Sequence, residues 1–133
     1  MNKPICWLCI CICIILTGCT APPPPGVKIN YGSLVNEHFT PKNTDAEIIL
    51  TTKDLDRPYK EIGIITAVGR KNITYDELNE KIKLKAREIG ADAVIKLEYG
   101  TEARNIIVPS SYGSVGGTIH MPSCKGIVVV LIN

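Results

Sequence analysis

The residues best suited to chemistry lie near the end of the chain, where His120 and Met121 precede Cys124. Imidazole, thioether and thiolate are together the ligands that a soft ion such as copper(I) prefers. The alternative is a loop histidine beside a half-buried structural cysteine. Because no second Cys/His pair supports a metal centre, we predict no metal site and no cofactor, and His120 and Cys124 are the candidate ligands if a metal binds.

Acid–base and nucleophilic chemistry find little support in the sequence. Glu98 and Glu102 lie near one strand end without the apolar flanks that raise a carboxyl pKa. The segment GSVGG at 113–117 lacks the preceding strand and following helix of a phosphate-binding loop. Asp92 follows a predicted helix and suits a structural hydrogen bond at a strand entry. We therefore predict that the chain is not an enzyme and has no catalytic residue.

A different kind of chemistry is indicated at Cys19. The chain opens with one early cation, Lys3, and a continuous apolar run from Ile5 to Leu16. That run is too short for a spanning helix, which needs about 20 residues, and has the length of a signal-peptide core. Small residues Thr17 and Gly18 then precede Cys19. The sequence predicts an export signal over residues 1–18.

The order Leu16-Thr17-Gly18-Cys19 resembles the lipobox of bacterial lipoprotein precursors. The resemblance implies cleavage between Gly18 and Cys19, a diacylglyceryl thioether on Cys19 and further acylation, such as palmitate, at the new amino terminus. Two or three acyl chains, at about 0.8 kcal/mol per buried CH₂, hold a protein on a membrane almost permanently. Thr20, which is not Asp, favours the outer membrane, with the domain facing the periplasm.

Cleavage of the signal peptide would remove most of the cysteines from the chain. Four cysteines leave with it, and Cys124 remains as the candidate free thiol, so no disulfide framework is expected; the four are Cys6, Cys9, Cys11 and Cys13. Losing Lys3 also lowers the formal charge from +2 to +1. A nearly neutral chain with few aromatic residues gives no electrostatic case for a nucleic-acid partner.

The elements that must position these residues begin after a tether. Four prolines, Pro22 to Pro25, predict a stiff polyproline II spacer. The stretch from Gly26 to Asn43 shows no sustained period and is interpreted as the rest of the tether, with a short ordered piece at Ile29 to Tyr31. We predict a lipidated tether over residues 19–44 and a folded domain over residues 45–133.

Periodicity within residues 45–133 predicts an α+β domain with the order β-β-α-β-β. AEIILTTK (46–53) and YKEIGIITAVG (59–69) predict two strands. A capping box at Thr74 and Glu77 predicts a helix from Tyr75 to Ile89 that Gly90 ends. DAVIKLEY (92–99) and GIVVVLIN (126–133) predict two further strands, and residues 100–122 predict a long Gly/Ser-rich loop. The strands flanking the helix are expected to be parallel.

Three stretches, EIGIITAVG, KAREIGADAVIKLEYG and CKGIVVVLIN, resemble the small α/β domains of the Rcs-pathway stress-sensor lipoproteins and the YbjQ-like domains. The resemblance covers roughly residues 45–133. It implies either a stress-sensing lipoprotein module or an oligomeric domain that binds a metal or small ligand. The sensor lipoproteins are braced by disulfides, which this chain cannot form, so a disulfide-based mechanism is not expected.

Taken together, the sequence predicts a lipid-anchored envelope lipoprotein that acts without catalysis. Its partners are expected to be the membrane, through Cys19, and another envelope protein whose binding reports or relays envelope stress. The alternative is a small-ligand or metal-binding oligomeric domain.

Overall fold

The computed structural model describes residues 26–133. The predicted signal peptide (1–18), the lipidation and cleavage site at Gly18 and Cys19, and the proline tract (22–25) lie outside the described residues. Within 26–133, the domain is α+β, as predicted: one helix packs on a five-stranded mixed sheet.

The elements follow one another as five strands with a single helix after the third. The strands are β1 (Val27–Ser33), β2 (Ile49–Leu50), β3 (Tyr59–Gly69), β4 (Ala93–Ser110) and β5 (Gly113–Leu131), and the helix is α1 (Tyr75–Ile89). The order across the sheet is β1-β3-β5-β4-β2. Both β3 and β4 run antiparallel to β5, so the two strands that flank the helix are parallel to each other, as expected.

The helix forms where its caps predict it. The amide of Glu77 donates to the Thr74 hydroxyl at 3.2 Å, and the amide of Thr74 donates to the Glu77 carboxylate at 2.8 Å. Gly90 ends the helix in the left-handed conformation, with φ 86°. A Cβ there would lie 2.5 Å from the carbonyl oxygen of Thr40, so the close approach of the preceding segment also requires glycine.

The main core lies between α1 and one face of the sheet. The helix contributes Leu78, Ile82 and Ala86, all fully buried. The strands contribute a matching set: Val27, Ile62, Ile65, Ala67, Val94, Leu97, Cys124 and Val128. Burying this apolar surface is the main stabilising contribution to the fold. A smaller cluster on the opposite face joins Ala93, Ile95 and Val129, with Leu55 and Tyr59 packed against it.

The sheet begins earlier than residue 45, where the folded domain was expected to start. Val27 to Ser33 pairs antiparallel with Gly69 to Gly63 as the edge strand β1. Tyr31 packs over Gly63 and donates its hydroxyl to the carbonyl oxygen of Ile62 at 3.1 Å. These contacts place residues 27–33, predicted as tether, inside the domain.

The segment between β1 and β2 is also held against the body of the domain. The amide of Lys42 donates to the carbonyl oxygen of Arg87 at 2.8 Å, and Nε of Arg87 donates to that of Ala46 at 2.7 Å. Phe39 is half-buried against the core. Backbone and side-chain contacts, rather than regular structure, therefore fix residues 39–46.

The prediction of a long loop over residues 100–122 was wrong. Here β4 and β5 continue as one antiparallel hairpin, paired from Gly100 and Ser123 to Ser110 and Gly113. Ser111 and Tyr112 form the turn, and the hydroxyl of Ser110 donates to the carbonyl oxygen of Gly113 at 2.6 Å. We call residues 101–122 the arm.

Two bulges set the register of the central strands. One extra residue, Ile62, enters β3 between Glu61 and Gly63, so Ile62 joins the core below α1 instead of the face expected from simple alternation. A second bulge lies in β4 between Ile95 and Glu98. The predicted strand 46–53 is reduced to β2, whose parallel pairing stops at Val94, just before this second bulge.

Candidate interaction surface

The face of the sheet away from α1 is incompletely covered. Ile64 is 36% exposed there, directly across from the half-buried Ile127 on β5. Around them lies a shallow depression of about 210 Å³. We call its six lining residues the open face: Ile64, Lys96, Glu98, Lys125, Gly126 and Ile127. An apolar centre with charged residues at its rim is the composition of a protein-binding patch.

The open face is built on the bulge in β4. Lys96 has φ 51°, a left-handed conformation that is unfavourable for a residue with a side chain. Opposite the bulge lies Gly126, where a Cβ would approach Val94 at 2.6 Å and Leu97 at 2.8 Å. Glycine at 126 therefore lets the bulge form, and the bulge brings Lys96 to the rim of the depression.

In this conformation Lys96 forms an ion pair. Its Nζ lies 3.2 Å from the Asp54 carboxylate, which also accepts a hydrogen bond from the Tyr59 hydroxyl at 2.8 Å. The hydrogen bonds from Tyr59 and Lys96 lower the pKa of Asp54. Hydrogen bonding to Asp54 in turn raises the pKa values of Tyr59 and Lys96. All three groups therefore keep their ordinary charge states at neutral pH, and the rim carries a fixed cation.

The arm is a second exposed feature. Pairing of β3 with β5 ends at Ser123, and β2 reaches only Val94 of β4, so neither outer edge of the arm pairs with another described strand. Its apolar side chains stay in solvent: Ile107 is 76% exposed and Tyr112 at the turn is fully exposed. Val108 and Val115 face each other in register and are more than half exposed.

The metal-ligand candidates are not brought together. His120 is exposed on the arm, whereas Cys124 is 1% exposed beneath the helix. Four residues of extended strand separate them by about 13 Å, and Met121 points to the opposite face. Burial raises the pKa of the Cys124 thiol to about 11. Among residues 26–133, no three His, Cys, Asp or Glu side chains are grouped as a metal site.

Asp92 is bound into the fold. Its carboxylate accepts hydrogen bonds from Lys42 and from the Leu131 amide, the latter at 2.8 Å. Partial burial raises its pKa, but these two hydrogen bonds and the charge of Lys42 outweigh burial and lower it. The carboxylate thus ties the segment before β2 to the end of β5. Its hydrogen bonds are made to residues distant in the sequence, whereas its position predicts a local bond at the strand entry.

The carboxylates Glu98 and Glu102 both lie exposed on β4. Glu98 faces Lys125 in register, and Glu102 faces Met121 at the base of the arm. Glu98 lines the shallow open face beside Lys96 and Lys125 and is exposed to solvent there. Two other open depressions are lined by both polar and apolar residues. One, of about 380 Å³, lies between residues 31–39 and the end of α1. The other, of about 460 Å³, lies between β2 and α1.

Sequence reasoning missed the central residues of the open face and the arm. In the sequence, Gly126 stands out only within the stretch that resembles other small α/β domains, and the alternation around Lys96 and Ile64 indicates ordinary strand residues. The available signal is Gly126 itself, which stands between Lys125 and the apolar run that begins at Ile127, since a glycine in a strand commonly marks a bulge or a close backbone approach. Within the described part of the chain, no helix is long and apolar enough to cross a bilayer.

Comparison with known proteins gives a limited result. No protein-family model matches the sequence, and no curated protein matches it. One similar solved structure is a protein of unknown function of the DUF74 family from Pediococcus pentosaceus, with TM-score 0.46 and 20% identity, covering 64% of this chain and 98% of that one. Another is the Francisella virulence factor FvfA, with TM-score 0.47 and 13% identity, covering 77% of this chain and 96% of that one. These values are too low to transfer an activity.

Proposed function

We propose that this chain is a lipid-anchored protein of the bacterial envelope that acts without catalysis, by binding another protein through its open face. The anchor is the thioether expected at Cys19, on the outer membrane and facing the periplasm. The binding event serves to sense or relay the state of the envelope.

The observation that carries the binding role is the open face. Its centre, Ile64 and Ile127, is apolar and accessible, and opposite charges at Glu98, Lys96 and Lys125 surround it. Apolar contact supplies affinity, and the rim charges select the partner. The strained conformation of Lys96 adds support, since unfavourable backbone conformations cluster at functional sites.

Site-specific crosslinking in intact cells tests this proposal. A photoreactive residue replaces Ile64 on the open face or, as a matched control, Leu84 on the helix, which is also apolar and is 44% exposed. We expect a discrete protein adduct from position 64 and none from position 84. The adduct should weaken when Lys125→Glu reverses a rim charge.

Two results would contradict the proposal. The same adducts from positions 64 and 84 would mean that contact is unspecific, and no adduct from position 64 would remove the binding role. The anchor is tested separately by mass spectrometry of the native amino-terminal peptide, where a bare sulfur at Cys19 would refute it.

A further inference from the structure

We propose that the tip of the arm inserts into the surface of the bilayer to which the chain is anchored. The proposal rests on the anchored location given above but concerns a different surface from the open face. It assigns the arm one occupant, the lipid of the same membrane.

The register of the sheet puts the start of β1 and the arm at one end of the domain. Val27 pairs with Gly69 at the start of β1, and the neighbouring Val68 pairs with Ser123 on β5. Ser123 pairs in turn with Gly100, where the arm begins. The chain that leads back to Cys19 therefore leaves the domain from the same end as the arm.

The length of the arm exceeds the reach of the chain between Cys19 and the domain. Cys19 and Gly26 are seven residues apart, so the chain between them spans at most about 25 Å. The arm extends ten residues beyond Gly100, or about 33 Å of strand. When the end of the domain that carries Gly26 faces the bilayer, that end lies no farther from the anchor than the chain between Cys19 and Gly26 can span. The arm projects from the same end and is longer than this span, so its tip reaches the lipid.

The chemistry of the tip suits lipid. No charged residue occurs from Asn105 to Ile119, the last 15 residues around the turn. One face of the hairpin carries an apolar set contributed by both strands, namely Ile106, Val108, Val115 and Ile119. The fully exposed Tyr112 stands at the turn, and Tyr is enriched at membrane–water interfaces.

The hairpin also needs a covering that the described residues do not supply. A two-stranded hairpin is at best marginally stable in water, and this one leaves Ile107, Val108 and Val115 exposed. Since the tip lacks charge, it gives no electrostatic basis for recognising a charged partner. Lipid within reach of the tether would cover these side chains without a specific partner surface.

Spin labelling of the full lipidated protein tests the proposal in vesicles of phosphatidylethanolamine and phosphatidylglycerol. A nitroxide is attached at Ser111→Cys in the turn or, as control, at Asp56→Cys, an exposed position before β3 at the opposite end of the sheet. Cys124 is buried and does not compete for the label. We expect the label at 111 to be reached by lipid-soluble oxygen and shielded from an aqueous nickel chelate, with the reverse at 56.

Two changes to the protein and one change of lipid make the result decisive. Adding Val108→Asp and Val115→Asp should return the label at 111 to the exposure of the control. Vesicles of phosphatidylcholine alone should give the same result as the charged vesicles, because the tip has no cation to bind an anionic headgroup. A chain that begins at Thr20, and so lacks both the signal and the thioether, should float with vesicles more weakly than the lipidated protein but more than its own Val108→Asp, Val115→Asp form.

The outcomes separate this proposal from the anchor. A water-exposed label at 111 with an intact thioether at Cys19 would overturn the role of the arm and leave the anchor standing. A bare Cys19 would refute the anchor. Flotation of the chain that begins at Thr20 would then test the arm alone, and a failure of that chain to float would overturn the proposal. Dipolar broadening between labels at 111 would identify a second copy as the occupant and also overturn it.

Discussion

The backbone amide of Leu131 donates a hydrogen bond to Oδ2 of Asp92 at 2.8 Å. Asp92 also pairs with Lys42, so one carboxylate joins the last strand to the segment that precedes β2. These contacts lower the pKa of Asp92 in the folded protein. Its ionised form therefore stabilises the fold above its unfolded pKa of about 3.9. That contribution disappears as the pH falls through the lower folded value.

We expect this relationship to be visible in the acid stability of the domain. Asp92→Ala should lower the free energy of unfolding at neutral pH by about 1–2 kcal/mol, as expected for a partly buried charged hydrogen bond. The difference from wild type should shrink below about pH 4, because the carboxylate of the unfolded chain then takes up a proton while that of the folded protein resists protonation. Urea unfolding of both proteins across this range is the measurement. A difference that stays constant with pH would mean that Asp92 acts by packing alone.

Gly126 is predicted to be indispensable for the bulge. In Gly126→Ala, the new methyl would lie 2.6 Å from Val94 and 2.8 Å from Leu97, so β4 must shift or the bulge must be lost. We expect a loss of about 1–3 kcal/mol in the free energy of unfolding. The matched control is Gly116→Ala on the same strand, where nothing lies within 4 Å of the new methyl. Equal thermal stability of the two variants would contradict the account of the bulge.

We predict that Lys96 lowers the stability of the fold and is present for its role on the open face. Lys96→Gly removes the left-handed strain but also the pair with Asp54, which contributes little because both groups are exposed to solvent. Glycine at such a position is favoured by a comparable amount. Thermal unfolding should therefore be unchanged or slightly raised, while crosslinking from position 64 should decrease. A variant that unfolds several degrees earlier would show that the ion pair, rather than function, accounts for this lysine.

Cys124 is predicted to be chemically inert in the folded protein. It is 1% exposed, and burial raises its thiol pKa to about 11, so almost no thiolate exists at neutral pH. Peptide-level mass spectrometry after iodoacetamide treatment should show Cys124 unmodified in the native protein and modified in urea. Cysteine introduced by Ser111→Cys at the exposed turn is the positive control. Fast labelling of native Cys124 would indicate that α1 opens readily from the sheet.

The sequence predicted best what is determined locally. The helix from Tyr75 to Ile89 is confirmed at both ends, because its caps at Thr74 and Gly90 satisfy backbone groups within a few residues. For β1, the alternation of Val27, Ile29 and Tyr31 was present in the sequence, but neighbouring turn formers concealed it. Whether a segment of only seven residues forms a strand depends on the neighbouring strand with which it pairs, and the sequence does not identify that neighbour.

The features that define the surfaces depend on non-local pairing. Residues 101–122 carry the glycines and serines of a loop, yet Asn105 to Thr118 and Ile107 to Gly116 pair across the hairpin. No local rule decides between a loop and a hairpin that contributes little to the core. The bulge at Lys96 likewise depends on pairing between strands, because β4 has one residue more than β5 between the pairs Ile95–Ile127 and Glu98–Lys125. That difference exists only in the folded sheet.

The arm is predicted to contribute little to the stability of the rest of the domain. Most side chains between Ala103 and His120 are exposed, and the buried residue nearest the arm base is Met121. Replacing residues 103–120 by Asn-Gly, the preferred two-residue turn, keeps Met121 and the pairing of Glu102. We expect cooperative unfolding with a free energy within about 1 kcal/mol of wild type, because few buried contacts are lost. The shortened protein should keep its crosslink from position 64. Without the signal and the thioether, as a chain that begins at Thr20, it should float less with vesicles than the same chain with its arm. Loss of cooperative unfolding would instead show that the hairpin is required to hold β4 and β5 together.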